Sequence, residues 1–295
     1  MATIGEAAMR IAVIGTGLMG AALAEVLLKS GHDVVVYNRT PAKLAPLIAL
    51  GAFAAETPGE AIAQAEATFL VLTDAACMEQ VLLSNETLPA LAGSRLINVA
   101  TVSPDEVEAL GRSVAEHGGD LAELTVLAYP DHVRARTGHY IIGCSEALAG
   151  FWQDIVAPLG LSAHRIGVLG DAARGDLAFA ATFVFNITAA AFTAAMATKL
   201  KVPSEVILRQ LSDNPAIAVT GAAELLPQMF AGAYLESLAS VDTVAMALDM
   251  ALPQARLLGI PTKILEGFQE LYAEASRRGL GSKDVASVYE VLMKP

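Results

Sequence analysis

The 295-residue sequence predicts an α/β fold in two parts, a sheet domain over residues 1–168 and an all-helical domain over residues 169–295. Two observations carry this. From residue 9 to about residue 168, short β-branched runs alternate with amphipathic stretches, as in βαβ units around a mostly parallel sheet. After Gly170 strand signals nearly vanish, and helical stretches are punctuated by Pro203, Pro215, Pro253 and Gly259.

Along the chain, Arg10 to Ile14 reads as the first strand, followed by a glycine-rich turn and a helix from Met19 to Lys29. Asp33 to Tyr37 is the second strand, and Pro41 to Leu50 is helical. Ala67 to Leu72, Arg95 to Asn98 and Tyr140 to Gly143 read as further strands, with a helical stretch from Ser103 to His117. Early in the helical part lies the longest charge-free stretch of the chain, from Leu177 to Thr198.

Composition narrows the function. With 31 acidic and 19 basic residues the net charge is -12, and no basic run appears, so nucleic-acid binding is not expected. The mean hydropathy of +0.51 raises the question of a membrane, since roughly 20 apolar residues span a bilayer. Leu177 to Thr198 contains Thr182, Asn186, Thr188, Thr193 and Thr198, owes much of its apolarity to Ala and has no flanking basic cluster. It reads as a helix buried by protein. Met1 to Ala8 has no basic start, so a cytoplasmic protein is expected. Cys77 and Cys144 have no metal-site or disulfide spacing and read as small buried side chains; no metal is expected.

The motif Gly15-Thr16-Gly17-Leu18-Met19-Gly20 follows the first strand and opens a helix. Gly15 allows the tight turn, Gly17 lets backbone approach a pyrophosphate, and Gly20 lets helix and strand pack closely. The helix N-terminus supplies free N–H groups and partial positive charge for the diphosphate. This is a Rossmann-type dinucleotide site. Where an NAD site usually has an acidic residue, at the end of the second strand, the sequence reads Asn38-Arg39-Thr40, with Lys43 following. The missing carboxylate removes repulsion toward a 2'-phosphate, which Arg39 and Thr40 can bind. NADPH is the expected cofactor.

These segments, with Ser30-Gly31-His32-Asp33-Val34 and Asn38-Arg39-Thr40-Pro41, resemble the β-hydroxyacid dehydrogenase superfamily, which includes 6-phosphogluconate dehydrogenases and imine reductases. The resemblance covers nearly the whole chain. It implies an interdomain helix over 169–200 and a C-terminal helical domain that forms a homodimer. It also places Leu72, Thr73 and Asp74 on the cofactor side and Thr101 near the nicotinamide.

Hydroxyacid dehydrogenases of this superfamily carry a Ser-Gly-Gly substrate loop and a catalytic Lys with an Asn four residues on. Here the first region reads Leu127-Ala128-Tyr129-Pro130-Asp131-His132, and the second, Gly175 to Asn186, contains no lysine. Pro130 resembles imine reductases, which also lack the lysine. Thr182 and Asn186 form a polar pair at the right helical spacing, while Tyr129, Asp131 and His132 are the loop's possible proton donors. Asp176 reads as a first-turn residue favoured by the helix dipole. Acid-base help is worth roughly two to four orders of magnitude to an alcohol–ketone interconversion, whereas a protonated imine accepts hydride with little of it. The expected activity is therefore NADPH-dependent imine reduction. The alternatives are a 3-hydroxyacid dehydrogenase or aldehyde reductase with an unusual proton donor, and a non-catalytic NADP-binding protein.

Overall fold

The computed structural model describes residues 8–213, 222–234 and 239–294. The chain divides into two compact units, Met1–Ala181 and Thr182–Pro295.

The first unit is built on an eight-stranded sheet in the order β3-β2-β1-β4-β5-β6-β7-β8. Its strands are β1 Arg10–Ile14, β2 Asp33–Tyr37, β3 Phe53–Ala54, β4 Ala67–Leu70, β5 Arg95–Asn98, β6 Asp120–Leu127, β7 His139–Gly143 and β8 Ser162–Gly167. All neighbours pair parallel except β6 with β7. Alternation along β1 sends Ile11 and Val13 to one face and Ala12 and Ile14 to the other. The first face is covered by α1 Leu18–Lys29, through Leu23 and Leu27, and by α7 Ala149–Val156, through Trp152 and Ile155. The second is covered by α3 Pro58–Ala63, α4 Ala75–Leu82 and α5 Pro104–Glu116, through Ile62, Met78, Leu82, Val107 and Val114. The result is a three-layer α/β/α unit.

Local chemistry explains the starts of these helices. Ser103 accepts from the Glu106 N–H at 3.4 Å while the Glu106 carboxylate accepts from the Ser103 N–H at 2.9 Å, a reciprocal cap that fixes α5 one residue inside the expected limits. Pro41 to Leu50 is a 3-10 turn, Pro41–Leu44, followed by α2 Ala45–Ala49. His32 accepts from the Met9 N–H at 3.3 Å, a structural role in the turn before β2. Cys144 is buried, but Cys77 is half-buried on α4.

A 29-residue helix, α8 Asp171–Lys199, leaves the sheet unit and passes the unit boundary after its first eleven residues. The described part of the second unit adds α9 Ser204–Asp213, α10 Ala222–Ala231, α11 Val241–Leu257, α12 Lys263–Arg277 and α13 Tyr289–Met293. Its small core gathers Val241, Ala275, Leu280, Val288 and Val291. Lys283-Asp284 is a helix start: Asp284 accepts from the Ala286 N–H at 3.0 Å ahead of the turn Val285–Val288. No helix among the described residues is long and apolar enough to cross a membrane. The expected burial of the Leu177 to Thr198 segment is not met within this chain: none of its described side chains is buried, and Leu177, Phe179 and Phe185 are at least half exposed.

Candidate active site

Strands β1, β2, β4 and β5 run parallel, so Ile14, Tyr37, Leu70 and Asn98 end at one edge of the sheet. The connections after them carry Gly15 to Gly20, Asn38 to Lys43, Leu72 to Asp74, and Thr101. β1 lies between β2 and β4, the point where the winding of the sheet reverses and where open α/β sheets bind ligands. One face of backbone and short side chains is thus assembled from four separate sequence segments.

The glycines of the first loop divide their roles. Gly15 has φ +97°, and a methyl group on it would lie 2.1 Å from the Val71 carbonyl oxygen. A methyl group on Gly20 would lie 1.9 Å from the Gly15 carbonyl oxygen, so α1 closes directly on the turn. At Gly17, by contrast, nothing lies within 4 Å, so the loop leaves open space beside its middle glycine. The Thr16 hydroxyl is buried without a hydrogen-bond partner. Met19 packs partly against the core while Leu18 is exposed.

Asn38 braces this loop rather than standing free. Its side-chain oxygen accepts from the Thr16 N–H at 3.2 Å and its amide donates to the Thr40 carbonyl at 3.1 Å. Arg39, Thr40 and Lys43 are exposed around it. Asp74 caps α4, accepting from the Cys77 N–H at 2.8 Å; Thr73 is exposed and Leu72 half-buried.

A small pocket of about 10 Å³, room for about one water molecule, lies next to this edge at the end of β5. It is lined by Asn98, Thr101, Val102, Glu123, Thr125 and Asp176, with apolar neighbours. Asn98 closes the turn that carries Thr101, accepting from the Ala100 N–H at 2.8 Å and donating to the Ala100 carbonyl at 3.0 Å. Glu123, 3% exposed, accepts from the N–H groups of Gly170, Ala172 and Ala173 at 2.6, 2.8 and 3.2 Å. Burial pushes its carboxyl above the ordinary range, the three backbone donors pull it down, and Asp171 pushes it up. Glu123 therefore ties the start of α8 to the sheet and satisfies donors that a helix leaves unpaired.

Asp176 enters the same pocket from the second turn of α8. Because the helix begins at Asp171, Asp176 is not in the first turn, and the dipole reading of this residue is corrected. Burial pushes its carboxyl up, and no ion pair or hydrogen bond offsets the shift among the described residues. Thr125 donates to the Ala172 carbonyl at 3.2 Å, a further link from sheet to helix.

The expected substrate loop lies elsewhere in the sheet unit. Pro130–Arg134 forms the short helix α6, which packs on α1. Arg134 grips Glu25 of α1 through Nε and Nη2 at 3.1–3.2 Å and also pairs with Asp131 at 3.2 Å. His132 Nδ1 accepts from the Tyr129 N–H at 3.4 Å, and the two rings stand 5.6 Å apart. Tyr129, Asp131 and His132 are exposed and do not line the pocket that holds Thr101. Asn186 is exposed on α8, and the side chain of Thr182 lies outside the described residues.

The sequence profile of the NAD binding domain of 6-phosphogluconate dehydrogenase matches residues 10–167, more than half of the chain. The chain belongs to this family of NAD(P)-binding oxidoreductases. Over its length it is 25% identical to the 2-(hydroxymethyl)glutarate dehydrogenase of Eubacterium barkeri, covering 97% of this chain and 95% of that one. In fold it is similar to an imine reductase from Myxococcus stipitatus in complex with NADP+, with a TM-score of 0.90, 24% identity and coverage of 96% and 99%. It is also similar to a reductive aminase from Aspergillus terreus in complex with NADPH and ethyl levulinate, with a TM-score of 0.87, 26% identity and coverage of 97% and 99%.

For a 6-phosphogluconate dehydrogenase-type domain, the residues present suit a dinucleotide. The open space beside Gly17, the unpartnered Thr16 hydroxyl and the α1 N-terminus form a cradle with donors and no side chain in the way. No group of His, Cys, Asp and Glu that could hold a metal occurs among the described residues. Glu123 and Thr125 were missed by sequence reasoning. Glu123 did leave a signal, as a lone charge inside the apolar run Leu121 to Leu127.

Proposed function

We propose that the protein is an NADPH-dependent reductase of carbon–nitrogen double bonds, working as a homodimer. The observation that carries this reading is the charge of the pocket beside Thr101. Its ionisable lining groups are the carboxyls Glu123 and Asp176, with no Lys or Arg among the lining residues. A hydroxyacid substrate is itself a carboxylate and would find no cation there to hold it, whereas an imine gains positive charge as it becomes reactive and suits a lining of carboxyls. The absence of lysine from Gly175 to Asn186 supports the same choice.

Selection of NADPH rests on Arg39, Thr40 and Lys43, exposed at the end of β2 with no acidic residue among them. A guanidinium suits a 2'-phosphate, and a ribose diol gains nothing from it. When bound, the dihydronicotinamide supplies hydride. The protein's own contribution is to cradle the diphosphate at Thr16 to Gly20, position Thr101 through Asn98 and keep the pocket walls fixed through Glu123.

The homodimer is supported by apolar side chains left bare on the helical unit, including Phe185, Phe230, Met246, Leu257 and Ile264. Incubation with NADPH and a panel of cyclic imines, ketone–amine pairs, aldehydes and 3-hydroxy acids, followed by absorbance, tests the reading. NADPH oxidation with the nitrogen compounds is expected; oxidation by aldehydes or ketones alone would overturn it.

A further inference from the structure

We infer that Glu123 is a positioning residue for the proposed reaction: reaching across Gly143 to the first turn of α8, it sets the rotation of that helix and so which of its side chains face Thr101. The inference deepens the C=N reading above and rests on it for the reaction used as a probe.

Helix α8 begins at Asp171, and only its first eleven residues belong to the sheet unit. The first N–H groups of an α-helix have no partners within it. Here Gly170 and Ala172 donate to one Glu123 oxygen at 2.6 and 2.8 Å, and Ala173 donates to the other at 3.2 Å. At about 3.6 residues per turn these donors stand at different points around the helix axis, so a single carboxylate that meets all three fixes rotation as well as height. Ala173 and Asp176, three residues apart, share a helix face, and both line the pocket with Thr101. A helix turned by one residue would carry that face away from the pocket.

The surroundings of Glu123 are fitted to this reach. In the register of β6 with β7 it stands opposite Gly143. A methyl group on Gly143 would press on the Glu123 carboxylate and lie 2.7 Å from the Val168 carbonyl oxygen. Gly143 does not have a positive φ, so the close approach of Glu123 is what calls for glycine there. Two residues further along β6, on the same face, Thr125 donates to the Ala172 carbonyl at 3.2 Å and adds a second hold from the same strand. The remaining link, from Arg174 to Glu108 of α5, is partly exposed and contributes little. Both Glu123 oxygens are taken up by backbone donors, so the residue acts through α8 and not on the substrate.

Three substitutions separate this role from general stability. Glu123→Ala removes the carboxylate, Gly143→Ala displaces it, and Glu123→Gln keeps the oxygen that serves Gly170 and Ala172. On 2-methyl-1-pyrroline with NADPH, each alanine variant should lower kcat roughly 100-fold while the KM for NADPH stays within about twofold of wild type. Glu123→Gln should remain within roughly 10-fold of the wild-type kcat. Amide hydrogen exchange gives a reading that needs no turnover and holds even if Glu123→Ala does not fold. In the wild-type protein the Gly170, Ala172 and Ala173 amides should exchange at least about 100-fold more slowly than free backbone, and in Glu123→Gln the Ala173 amide alone should lose that protection. Unchanged kcat in the alanine variants, a Gln variant no better than they are, equal losses in kcat and NADPH binding, or unprotected amides in the wild type would each overturn the assignment. Failure of the wild-type protein to reduce the imine would instead overturn the C=N reading, and the exchange result would still decide whether Glu123 anchors α8.

Discussion

The two units of the chain bury their apolar residues to different degrees. In the sheet unit both faces of the sheet are covered, and Phe69, Trp152, Leu23 and Met78 have no exposed surface. In the helical unit long helices leave Phe230 and Leu257 each 79% exposed. The sheet unit has a large closed core yet also leaves Leu18, Leu161 and Val168 exposed, whereas the described core of the helical unit is small, so the proposed homodimer has most to cover on the helical unit.

This contrast can be broken most forcefully by matched substitutions. Phe69→Asp places an unpaired charge between sheet and helices and should cost more than about 4 kcal/mol, enough to prevent folding. Phe230→Asp should leave the secondary structure and the melting of the sheet unit unchanged while converting a dimer to a monomer in light scattering. A monomeric wild-type protein would remove the explanation offered for the exposed face.

Within the sheet unit, Gly20→Ala and Gly17→Ala sharpen the distinction between packing and binding. The methyl group at Gly20 meets backbone and should destabilise by ~3 kcal/mol, read as a lowered urea midpoint. The methyl group at Gly17 meets open space, so stability should hold within ~0.5 kcal/mol while NADPH affinity falls. Smaller still is the expected effect of Arg39→Ala: a roughly 10-fold weaker NADPH complex, consistent with loss of a charge-assisted bond, and no change for NADH.

The smallest effect concerns pH. Burial raises the folded-state pKa of Asp176 above its unfolded value, so the associated stability is full below the unfolded pKa. It is lost as pH rises through the folded pKa. Asp176→Asn removes that loss, and the Tm of the variant relative to wild type should rise from about pH 4 to about pH 8 by a few degrees at most.

Much of the sheet unit was legible because its signals are local. β1, β2 and β5 match their expected limits, since each is an apolar run bounded by turn residues. β6 was not legible. Its Asp120 and Glu123 interrupt the apolar run, and Glu123 is buried there only because α8, 47 residues later, brings unpaired N–H groups to it. β8 was hidden for another reason: as an edge strand it carries His164 and Arg165 and has little apolar alternation. The cofactor loop was legible from spacing. The pocket was not, because Thr101, Glu123 and Asp176 meet only through the sheet order and the starting point of α8.

The central claim is that this oxidoreductase has a pocket whose charge favours a C=N substrate over a carboxylate. The direct measurement is kcat/KM with NADPH at neutral pH for 2-methyl-1-pyrroline and for succinic semialdehyde, a carboxylate-bearing aldehyde. The account predicts the imine to be favoured by at least about 10-fold, equivalent to about 1.4 kcal/mol in transition-state stabilisation. Preference for succinic semialdehyde would contradict it.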